Sequence, residues 1–355
     1  MKLLINQKDL AKAIKIVKDV CDKRSLQPIL ATLMIETVDG GIKVYGTNLN
    51  ESIVTSVEAK VEQQGKVCVN ADKLNEIVNR VDNPIELETN GGYLHVKAGK
   101  AKFKIMTVNE NEYPNVKFMN EGDIIVFNAK EFKQSVKNVL ISVAYENTNV
   151  LSGVDLKIED NKLKLASTDG NRLSVDEIEC SGNNREIVCP QNLLINLIKN
   201  DFENLEMVCG DNDITFIADN TIYKANLING QFPKYQAIIP KNNNKIATIK
   251  TSDLLKAIDR VAIMINDKTN ILKLVFDKNS LILRGDNVEV GDAEDEIEIN
   301  YEGEPINIGF NYTYLLEFLR NCQQDTITVK LNQPASATLF IDTYTYLVMP
   351  IQIRN

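Results

Sequence analysis

One pattern of residues occurs three times in this chain, and the repeat constrains the fold more than any other feature. An acidic residue followed by an apolar one opens each copy, at Asp9-Leu10, Glu131-Phe132 and Asp253-Leu254. Successive copies are 122 residues apart in both cases. A fixed period of this kind predicts tandem structural units. We therefore divide the 355 residues into three domains, 1–121, 122–244 and 245–355.

Each copy begins with the signature of a helix N-terminus. Asn6 and Asn128 stand three residues before the first two acidic positions, which suits a capping side chain followed by a carboxylate. In the third copy Thr251 or Ser252 is expected to cap the helix. The apolar residues then recur at helical spacing; they are Leu10, Ile14, Val17 and Cys21, then Phe132, Val136, Val139 and Val143, then Leu254, Ile258 and Val261.

A second helix and several strands complete each copy. The second helices are predicted after Asn70, at Pro190 as the first helical residue, and after Asn311. Stretches 41–48, 161–169 and 280–286 alternate apolar and polar residues, which indicates strands. Two amphipathic helices laid on an antiparallel sheet make an α+β layer. Because such repeats leave sheet edges open, we expect head-to-tail association, which closes into a ring or extends as a filament.

Composition excludes most other classes of protein. Apolar residues make up 44% and charged residues 25%, as in an ordinary globular protein. The sequence shows neither an apolar run long enough to span a membrane nor a signal peptide, so we expect a cytosolic protein without membrane contact. The six scattered cysteines are predicted to be small buried residues. His95 is the only histidine, and with no catalytic or phosphate-binding motif present we expect no enzyme activity, metal or cofactor.

The distribution of charge favours a polyanionic partner despite the net charge of −9. The first helix of each copy carries basic residues on its predicted exposed face, so a basic surface would occur three times. Such a surface binds nucleic acid without reading its sequence. The alternative is an ordinary solvated helix face. The predicted DNA-facing residues of these helices are Lys12, Lys15, Lys133, Lys137, Lys256 and Arg260.

The two ends of the chain are complementary in charge. Lysines crowd the last hairpin of the first copy, whereas an acidic run occupies residues 292–298 of the third copy. Opposite charges would guide two molecules into a head-to-tail pair, with apolar contacts supplying most of the affinity. The alternative is that both runs serve only solubility. The predicted interface comprises Lys73, Ile77, Lys97, Lys100, Lys102 and Phe103 on one side, and Ile263, Met264, Glu294, Glu296 and Glu298 on the other.

Five short motifs, in this order and together with the repeat, carry a resemblance that covers the whole chain. They are Arg24 ahead of Gln27–Leu30, Thr168–Leu173, Gly230–Tyr235, Phe310-Asn311 with Tyr314–Leu316, and Tyr346–Pro350. On these motifs the chain resembles the bacterial DNA polymerase III beta subunit, the replicative sliding clamp. The resemblance implies a dimeric ring of three-domain subunits that encircles duplex DNA as a processivity factor in the bacterial cytoplasm, at the nucleoid during replication. It also implies that the DNA polymerase III alpha subunit, the clamp loader and other proteins with a clamp-binding motif dock on the ring.

The resemblance further implies one peptide-docking groove per subunit, between the second and third domains. By position the groove comprises Leu151, Thr168, Gly170, Asn171, Arg172, Leu173, Pro233, Ile238, Asn311, Tyr314, Leu347, Val348, Met349, Pro350 and Ile351. An apolar cleft with a few polar groups suits a short peptide that bears leucine and phenylalanine. Arg24, Tyr145 and Asn149 stand where the family contacts DNA. Asn171, Ala237 and the longer C-terminal tail depart from the family pattern and put the peptide preference in doubt.

Two readings of other classes remain open. A metal-dependent phosphodiesterase could use Asp292, Glu294 and Glu296, but a contiguous run on a strand is expected to send alternate side chains to opposite faces. A monomeric or filament-forming scaffold is the second alternative.

Overall fold

The computed structural model describes residues 1–82, 84–118, 122–144 and 149–353. The chain folds into two compact units. Unit 1 comprises Met1–Lys130, Cys180–Asn183 and Asn192–Leu227; unit 2 comprises Glu131–Glu179, Asn184–Gln191 and Ile228–Asn355. The division into three domains at 121/122 and 244/245 stays a prediction.

Two α-helices occur in each repeat of the described chain. They are α1 (Gln7–Lys18), α2 (Ala71–Val78), α3 (Ala129–Leu140), α4 (Gln191–Ile198), α5 (Thr251–Val261) and α6 (Tyr312–Asn321). The predicted stripes are buried on these helices, although Cys21 and Val143 lie just beyond the ends of α1 and α3.

The strands of the first repeat are β1 (Lys2–Ile5), β2 (Thr32–Val38), β3 (Gly41–Thr47), β4 (Glu51–Glu58), β5 (Lys60–Gln63), β6 (Lys66–Asn70), β7 (Ile85–Asn90), β8 (Tyr93–Ala98) and β9 (Ala101–Val108). Those of the second are β10 (Asp123–Phe127), β11 (Gly153–Glu159), β12 (Lys162–Thr168), β13 (Arg172–Ser181), β14 (Arg185–Pro190), β15 (Leu205–Cys209), β16 (Asp213–Ala218) and β17 (Thr221–Asn226). Those of the third are β18 (Lys245–Lys250), β19 (Ile271–Asp277), β20 (Ser280–Asn287), β21 (Gly291–Glu298), β22 (Asn300–Tyr301), β23 (Ile306–Asn311), β24 (Thr326–Leu331), β25 (Thr338–Ile341) and β26 (Thr345–Val348).

Asparagine side chains cap four of the helices, and for α1 and α3 these caps are the ones predicted from the sequence. The side-chain oxygen of Asn6 accepts a hydrogen bond from the Lys8 N–H, and Asn128 accepts one from the Lys130 N–H. Asn70 and Asn311 do the same for α2 and α6. These bonds satisfy N–H groups that the first turn of a helix leaves without a partner.

Two predicted helix starts are wrong in detail. Thr251 is the first residue of α5 and does not cap it, because its hydroxyl donates to the Gln324 carbonyl and its N–H to the Asp325 carbonyl. Pro190 ends β14 one residue before α4 begins. In both places the residue that the sequence signal assigned to the helix start is held by a partner from elsewhere in the fold. Thr251 is bound by the loop at 324–325, and Pro190 pairs with Gly153 of β11.

The strands pair in an antiparallel manner throughout. In unit 1 the order β6-β2-β3-β4-β17-β16-β15-β10 forms one sheet, and β5-β1-β7-β8-β9 forms another. In unit 2 the order β14-β11-β12-β13-β26-β25-β24-β18 forms one sheet and β21-β20-β19-β23 the other. The α+β architecture that the repeat predicts is confirmed.

The repeats share one close contact between the sheet and the end of the first helix. A Cβ atom on Gly46 of β3 would lie 2.7 Å from the Val17 carbonyl oxygen, so the strand approaches the helix too closely here for a side chain to fit without a shift. Gly285 of β20 occupies the equivalent place in the third repeat. In the second repeat Ser167 of β12 stands there, and its hydroxyl donates to the Val139 carbonyl. The threefold repeat is therefore visible in the packing as well as in the sequence.

Candidate peptide groove, helix faces and sheet edges

A tight turn at residues 168–172 brings the predicted groove residues into β13. The Thr168 hydroxyl donates to the Arg172 carbonyl at 2.6 Å and accepts from the Gly170 N–H at 3.1 Å. One carboxylate oxygen of Asp169 accepts from the N–H groups of Asn171 and Arg172. Gly170 has a φ of +92°, the left-handed region that glycine adopts without strain. Threonine, aspartate and glycine at these three positions therefore stabilise the turn.

Strand pairing places the C-terminal groove residues next to this turn. In the β13–β26 ladder Arg172 stands opposite Val348, and Leu173 stands opposite Leu347. The Met349 N–H donates to the Asn171 carbonyl at 2.8 Å, so the pairing continues one step beyond the strand. Residues 168–173 and 347–349 thus form one continuous surface within unit 2.

Arg172 ties this surface to α6. Its side chain is only 7% exposed, and its Nε donates to Asp169 at 2.9 Å. Its Nη1 donates to Glu317 and to the Tyr346 hydroxyl, and its guanidinium lies 4.2 Å from the centre of the Tyr314 ring. The planar guanidinium suits this site because it donates in several directions and stacks on an aromatic ring at the same time.

An apolar bed lies beside the turn. Leu173 and Leu347 pack with Ala166, Val188 and Leu339, and Leu151 lies at the margin of this cluster. Pro233 and Ile238 are exposed, Ile238 to 55%. The bed therefore offers buried leucines at its floor and apolar side chains that solvent still reaches.

Phe232 and Tyr235 cover part of this bed, and the predicted groove did not include them. Both are buried in the same cluster, with ring centres 6.3 Å apart. Their signal was present in the sequence, because the motif Gly230–Tyr235 contains both, but their contact with Leu173 and Leu347 depends on the tertiary fold.

The remaining predicted groove residues occupy two further places. Asn311 caps α6, and Tyr314 lies beneath Arg172. Pro350 and Ile351 line a separate cavity of about 750 Å³ with Pro305 and Ile306, and the Ile351 N–H donates to the Gly309 carbonyl at 2.8 Å. The structure therefore brings most of the predicted residues to the turn and the bed, and places the C-terminal pair against β23.

The predicted basic positions differ in their surroundings. Lys12, Lys15, Lys137 and Lys256 are exposed, whereas Lys133 is half-buried. Arg260 does not stand free for a ligand, because its Nε donates to Asp295 of β21 at 2.7 Å.

Of the three residues carried over as DNA contacts, the two that the structure describes, Arg24 and Asn149, lie outside helices and strands. Arg24 is exposed, and its N–H donates to Asp22. Asn149 is exposed, and its side-chain oxygen accepts from the Leu151 N–H at 2.9 Å. Tyr145 lies outside the described residues.

The strands β9 and β21 are among those of the described chain that have an edge without a ladder partner, as are β5 and β14. On β9, residues 101–106 pair only with β8; on β21, the whole strand pairs only with β20. Lys100 and Lys102 are exposed on the first edge. Lys97 is engaged within its own sheet by Glu86 at 3.0 Å, and the hydrogen bond to Glu86 raises the pKa of Lys97.

The other predicted interface residues surround these edges. Lys73 forms an ion pair with Glu76 at 3.4 Å, and Ile77 and Phe103 are half-buried. In unit 2 Ile263 is 78% exposed and Met264 is half-buried.

Four of the five acidic side chains of β21 point in one direction, contrary to the argument used against a phosphodiesterase, whereas Asp295 lies on the other face and binds Arg260 of α5. Asp292, Glu294, Glu296 and Glu298 occupy alternate positions and are all exposed on the same face. Glu294 is paired with Arg284 at 2.5 Å, and Glu296 accepts from the Ser280 hydroxyl. Within the described residues no three His, Cys, Asp or Glu side chains are grouped so that they could hold a metal ion.

Unit 1 contains a second turn with the same hydrogen bonds. The Thr47 hydroxyl accepts from the Leu49 N–H and donates to the Glu51 carbonyl, and Asn48 accepts from the N–H groups of Asn50 and Glu51. The Asn226 N–H donates to the Asn50 carbonyl at 2.9 Å, as the Met349 N–H does at the other turn.

The side chains at this second turn differ from those at the first. Leu49, with φ of +76°, stands where the other turn has glycine, and Glu51 stands where it has Arg172. Burial raises the pKa of Glu51 to about 7. In the ladder beside the turn, Ser52 and Lys224 occupy the places that Leu173 and Leu347 occupy in unit 2, so the lining in unit 1 is polar.

No helix within the described ranges is long and apolar enough to cross a membrane.

The fold is that of the DNA sliding clamps. The sliding clamp of Bacillus subtilis superposes with a TM-score of 0.94 at 24% sequence identity, over 100% of both chains. A sliding clamp from Pseudomonas aeruginosa, solved with griselimycin bound, gives a TM-score of 0.93 at 24% identity, over 99% of this chain and 100% of that one.

Sequence comparison adds the family. The N-terminal, central and C-terminal domains of the DNA polymerase III beta subunit match residues 1–117, 126–234 and 236–352. The beta sliding clamp of Synechococcus elongatus is 27% identical over the whole of both chains, and that of Salmonella typhimurium is 26% identical over 99% of this chain and 100% of its own. The chain belongs to the DNA polymerase III beta subunit family. It is a DNA sliding clamp and a non-catalytic replication factor.

Proposed function

We propose that two copies of this chain join head to tail into a closed ring that encircles duplex DNA and holds partner proteins in the groove at residues 168–173 and 347–349. The observation that carries the proposal is the way one repeat pairs with the next. In a bacterial cell the ring would act in the cytoplasm, at the nucleoid during replication.

Each repeat ends in a closing strand and contains a receiving strand. The closing strands are β9, β17 and β26; the receiving strands are β4, β13 and β21. In unit 1 the closing strand β17 of the second repeat pairs with the receiving strand β4 of the first. In unit 2 the closing strand β26 of the third repeat pairs with the receiving strand β13 of the second. One closing strand, β9, and one receiving strand, β21, therefore remain for pairing with another copy.

The faces of these two strands match in chemistry. The exposed face of β9 carries Lys102 and Lys104, and its other face packs towards α2. The exposed face of β21 carries Glu294 and Glu296, and its other face packs towards α5. If the sheets join with their helix-bearing sides aligned, the lysines stand opposite the carboxylates. Opposite charges on adjacent strands stabilise the pair, and their attraction guides the two copies into this register.

Exposed lysines on the first helix of each repeat support the DNA-facing role. Lys15, Lys137 and Lys256 each lie on the first helix of their repeat, on the side that does not pack against the sheet. Contacts of lysine with phosphate are independent of sequence and weaken with salt. A closed ring does not need tight contacts to stay on DNA, because it is retained by topology and can slide.

The groove is proposed to bind the DNA polymerase III alpha subunit, the clamp loader and other proteins that carry a clamp-binding motif. Buried leucines beneath exposed apolar side chains suit a short peptide with leucine and phenylalanine. Affinity in the micromolar range, about −8 kcal/mol, would let partners exchange.

Retention on DNA tests the ring directly. The loaded protein should remain on a nicked circular plasmid and leave after the plasmid is cut once, whereas a protein held by contacts alone would stay on both. Light scattering should give twice the chain mass; a monomer or a series of larger species would favour the scaffold reading. DNA cleavage with Mg²⁺ or Mn²⁺ that is lost on mutating the acids of β21 would favour the phosphodiesterase.

Truncation tests the groove. Deletion of Met349–Asn355 removes the hydrogen bond to Asn171 and should abolish peptide binding while the dimer persists. Deletion of residues 352–355 is the matched control, because it keeps the bonds made by the N–H groups of Met349 and Ile351. Loss of the dimer in the longer deletion would mean that the groove is misplaced.

A further inference from the structure

A carboxyl group without a partner lies under the apolar bed of the groove. Asp155 of β11 stands between Ala166 of β12 and Val188 of β14, both members of the cluster that contains Leu173 and Leu347. Its side chain is 1% exposed, and its Oδ1 has no hydrogen-bond partner in the described part of the chain. Burying a carboxyl group in this way is unfavourable unless the group is neutral.

The fold does not require a carboxyl group at this position. In the first repeat Met34 of β2 occupies the equivalent place in the ladder, between Tyr45 of β3 and Cys68 of β6. Met34 packs there in an apolar cluster with Tyr113. Because the same architecture accepts a methionine in one repeat, the aspartate in the other is not explained by folding alone.

The groups around Asp155 do not neutralise its charge. Lys157, two residues along the same face of β11, is paired with Glu159 at 3.2 Å. Glu186 of β14 stands opposite Lys157, and the Tyr235 ring packs over Val188 from the loop above. Burial raises the pKa of Asp155 to about 7, with Glu186 adding to the rise and Lys157 opposing it. Burial, with a contribution from Asp155, also raises the pKa of Tyr235 to about 12.

We propose that Asp155 is a positioning residue that links peptide binding in the groove to the uptake of a proton. The proposal rests on the proposed function of the groove. Protonated Asp155 packs as a neutral group and lets Tyr235 close over the bed, beside the exposed Pro233 and Ile238. Ionised Asp155 would need water to enter the bed, and a peptide laid on the bed keeps that water out, which disfavours the charged form in the complex. Binding therefore selects protonated Asp155, and affinity falls as pH rises through the neutral range.

The size of the effect follows from the fraction of protein in the competent form. If only the protonated form binds, the apparent dissociation constant rises with the fraction of ionised Asp155. For a group that titrates near neutrality this gives a loss of affinity of about tenfold between pH 6 and pH 8. Binding at pH 8 should then take up close to one proton for each peptide.

The test is a titration of the full-length clamp with a fluorescein-labelled synthetic peptide that carries two leucines and a phenylalanine. The wild type should bind about tenfold more weakly at pH 8 than at pH 6. Asp155→Asn should bind with the same affinity at both values. Calorimetry in two buffers of different ionisation enthalpy should show proton uptake for the wild type and none for the variant.

Two control variants separate this effect from general pH sensitivity. Glu51→Gln removes the other carboxyl group whose pKa burial raises to about 7, in unit 1, and should leave the pH profile of binding unchanged. His95→Gln removes the only histidine and should do the same. Asp155→Leu, with the apolar character of Met34, covers the case in which asparagine fails to fold.

The outcomes are distinguishable. Wild-type binding that does not change with pH, or a wild-type profile retained in both Asp155 variants, overturns the proposal while leaving the groove intact. If the wild type does not bind the peptide at any pH, the proposed function of the groove has failed first.

Discussion

Replacement of Arg172 by lysine should destabilise unit 2 although the charge is kept. The guanidinium binds Asp169, Glu317 and the Tyr346 hydroxyl at once, and stacks on Tyr314. A lysine ammonium can keep only one or two of these contacts, because it is a point charge on a flexible stem. Charge-assisted hydrogen bonds to buried groups are worth about 1.5–3 kcal/mol each.

Not all of this energy applies here, because Glu317 is 45% exposed. Water screens that ion pair, so its share is under about 1 kcal/mol. The bond to Asp169, which is 17% exposed, keeps most of its value. We therefore expect Arg172→Lys to lower the free energy of unfolding of unit 2 by about 2–3 kcal/mol.

The matched control is Arg260→Lys, since Arg260 also binds a carboxylate but is 58% exposed. It should change stability by less than about 0.5 kcal/mol. Urea denaturation followed by circular dichroism gives the global values, and hydrogen exchange of the β13 and β26 amides locates the change. Equal effects of the two substitutions would refute the reasoning, because burial of Arg172 would then contribute nothing. Weaker peptide binding in Arg172→Lys alone is expected, since the ladder that carries Leu173 and Leu347 loosens.

Three further predictions concern single features. Lys100→Glu with Lys102→Glu should weaken the dimer most at low salt, where screening is least; an effect independent of salt would mean that these lysines do not face the partner. Glu51→Gln should leave stability unchanged at pH 4 and raise it by about 3 kcal/mol at pH 8. The sign follows from the raised pKa of Glu51. Below the pKa that Glu51 has in the unfolded chain, the carboxyl group is neutral in both states and costs the fold nothing; as pH rises through about 7, its ionisation destabilises the folded wild type but not the variant. Equal Tm values of variant and wild type at pH 8 would contradict this prediction. Leu49→Asn should stabilise unit 1 by about 1 kcal/mol, because asparagine tolerates positive φ better than leucine; a lower unfolding midpoint would show that the leucine side chain contributes packing.

Local signals predicted the helices, whereas the groove residues were assigned from the family resemblance. Asn6, Asn128, Asn70 and Asn311 cap their helices because a capping bond joins residues two or three positions apart. Thr251 fails as a cap because its hydroxyl binds a carbonyl 73 residues away. A cap that depends only on neighbouring residues can be predicted from the sequence, whereas a hydrogen bond to a residue far along the chain cannot.

The charges illustrate the same limit. The basic residues of the helices could be read from the sequence, but the pairing of Arg260 with Asp295 joins α5 to β21 and required the fold. The acidic run was assigned to both faces of its strand, although Asp292, Glu294 and Glu296 are at alternate positions and share one face. Residues at alternate positions of a strand lie on the same face, so this error could have been avoided from the sequence.

Asp155 was not recognised at all. In the sequence it is one polar residue in a strand that alternates, and such a residue is expected on the solvent side. Tyr235 and Val188 lie far from Asp155 in the sequence, and their packing over this face of β11 buries the side chain of Asp155.

The repeated turn has a consequence for valency. Each chain forms the turn once with a polar lining and once with an apolar one, so the dimer proposed above would present two docking places and not four. A partner bound at one place would meet the second at an effective concentration set by the length of its own linker, in the millimolar range for a short flexible one. Two different partners could therefore reside on the same assembly and succeed one another without either returning to bulk solution.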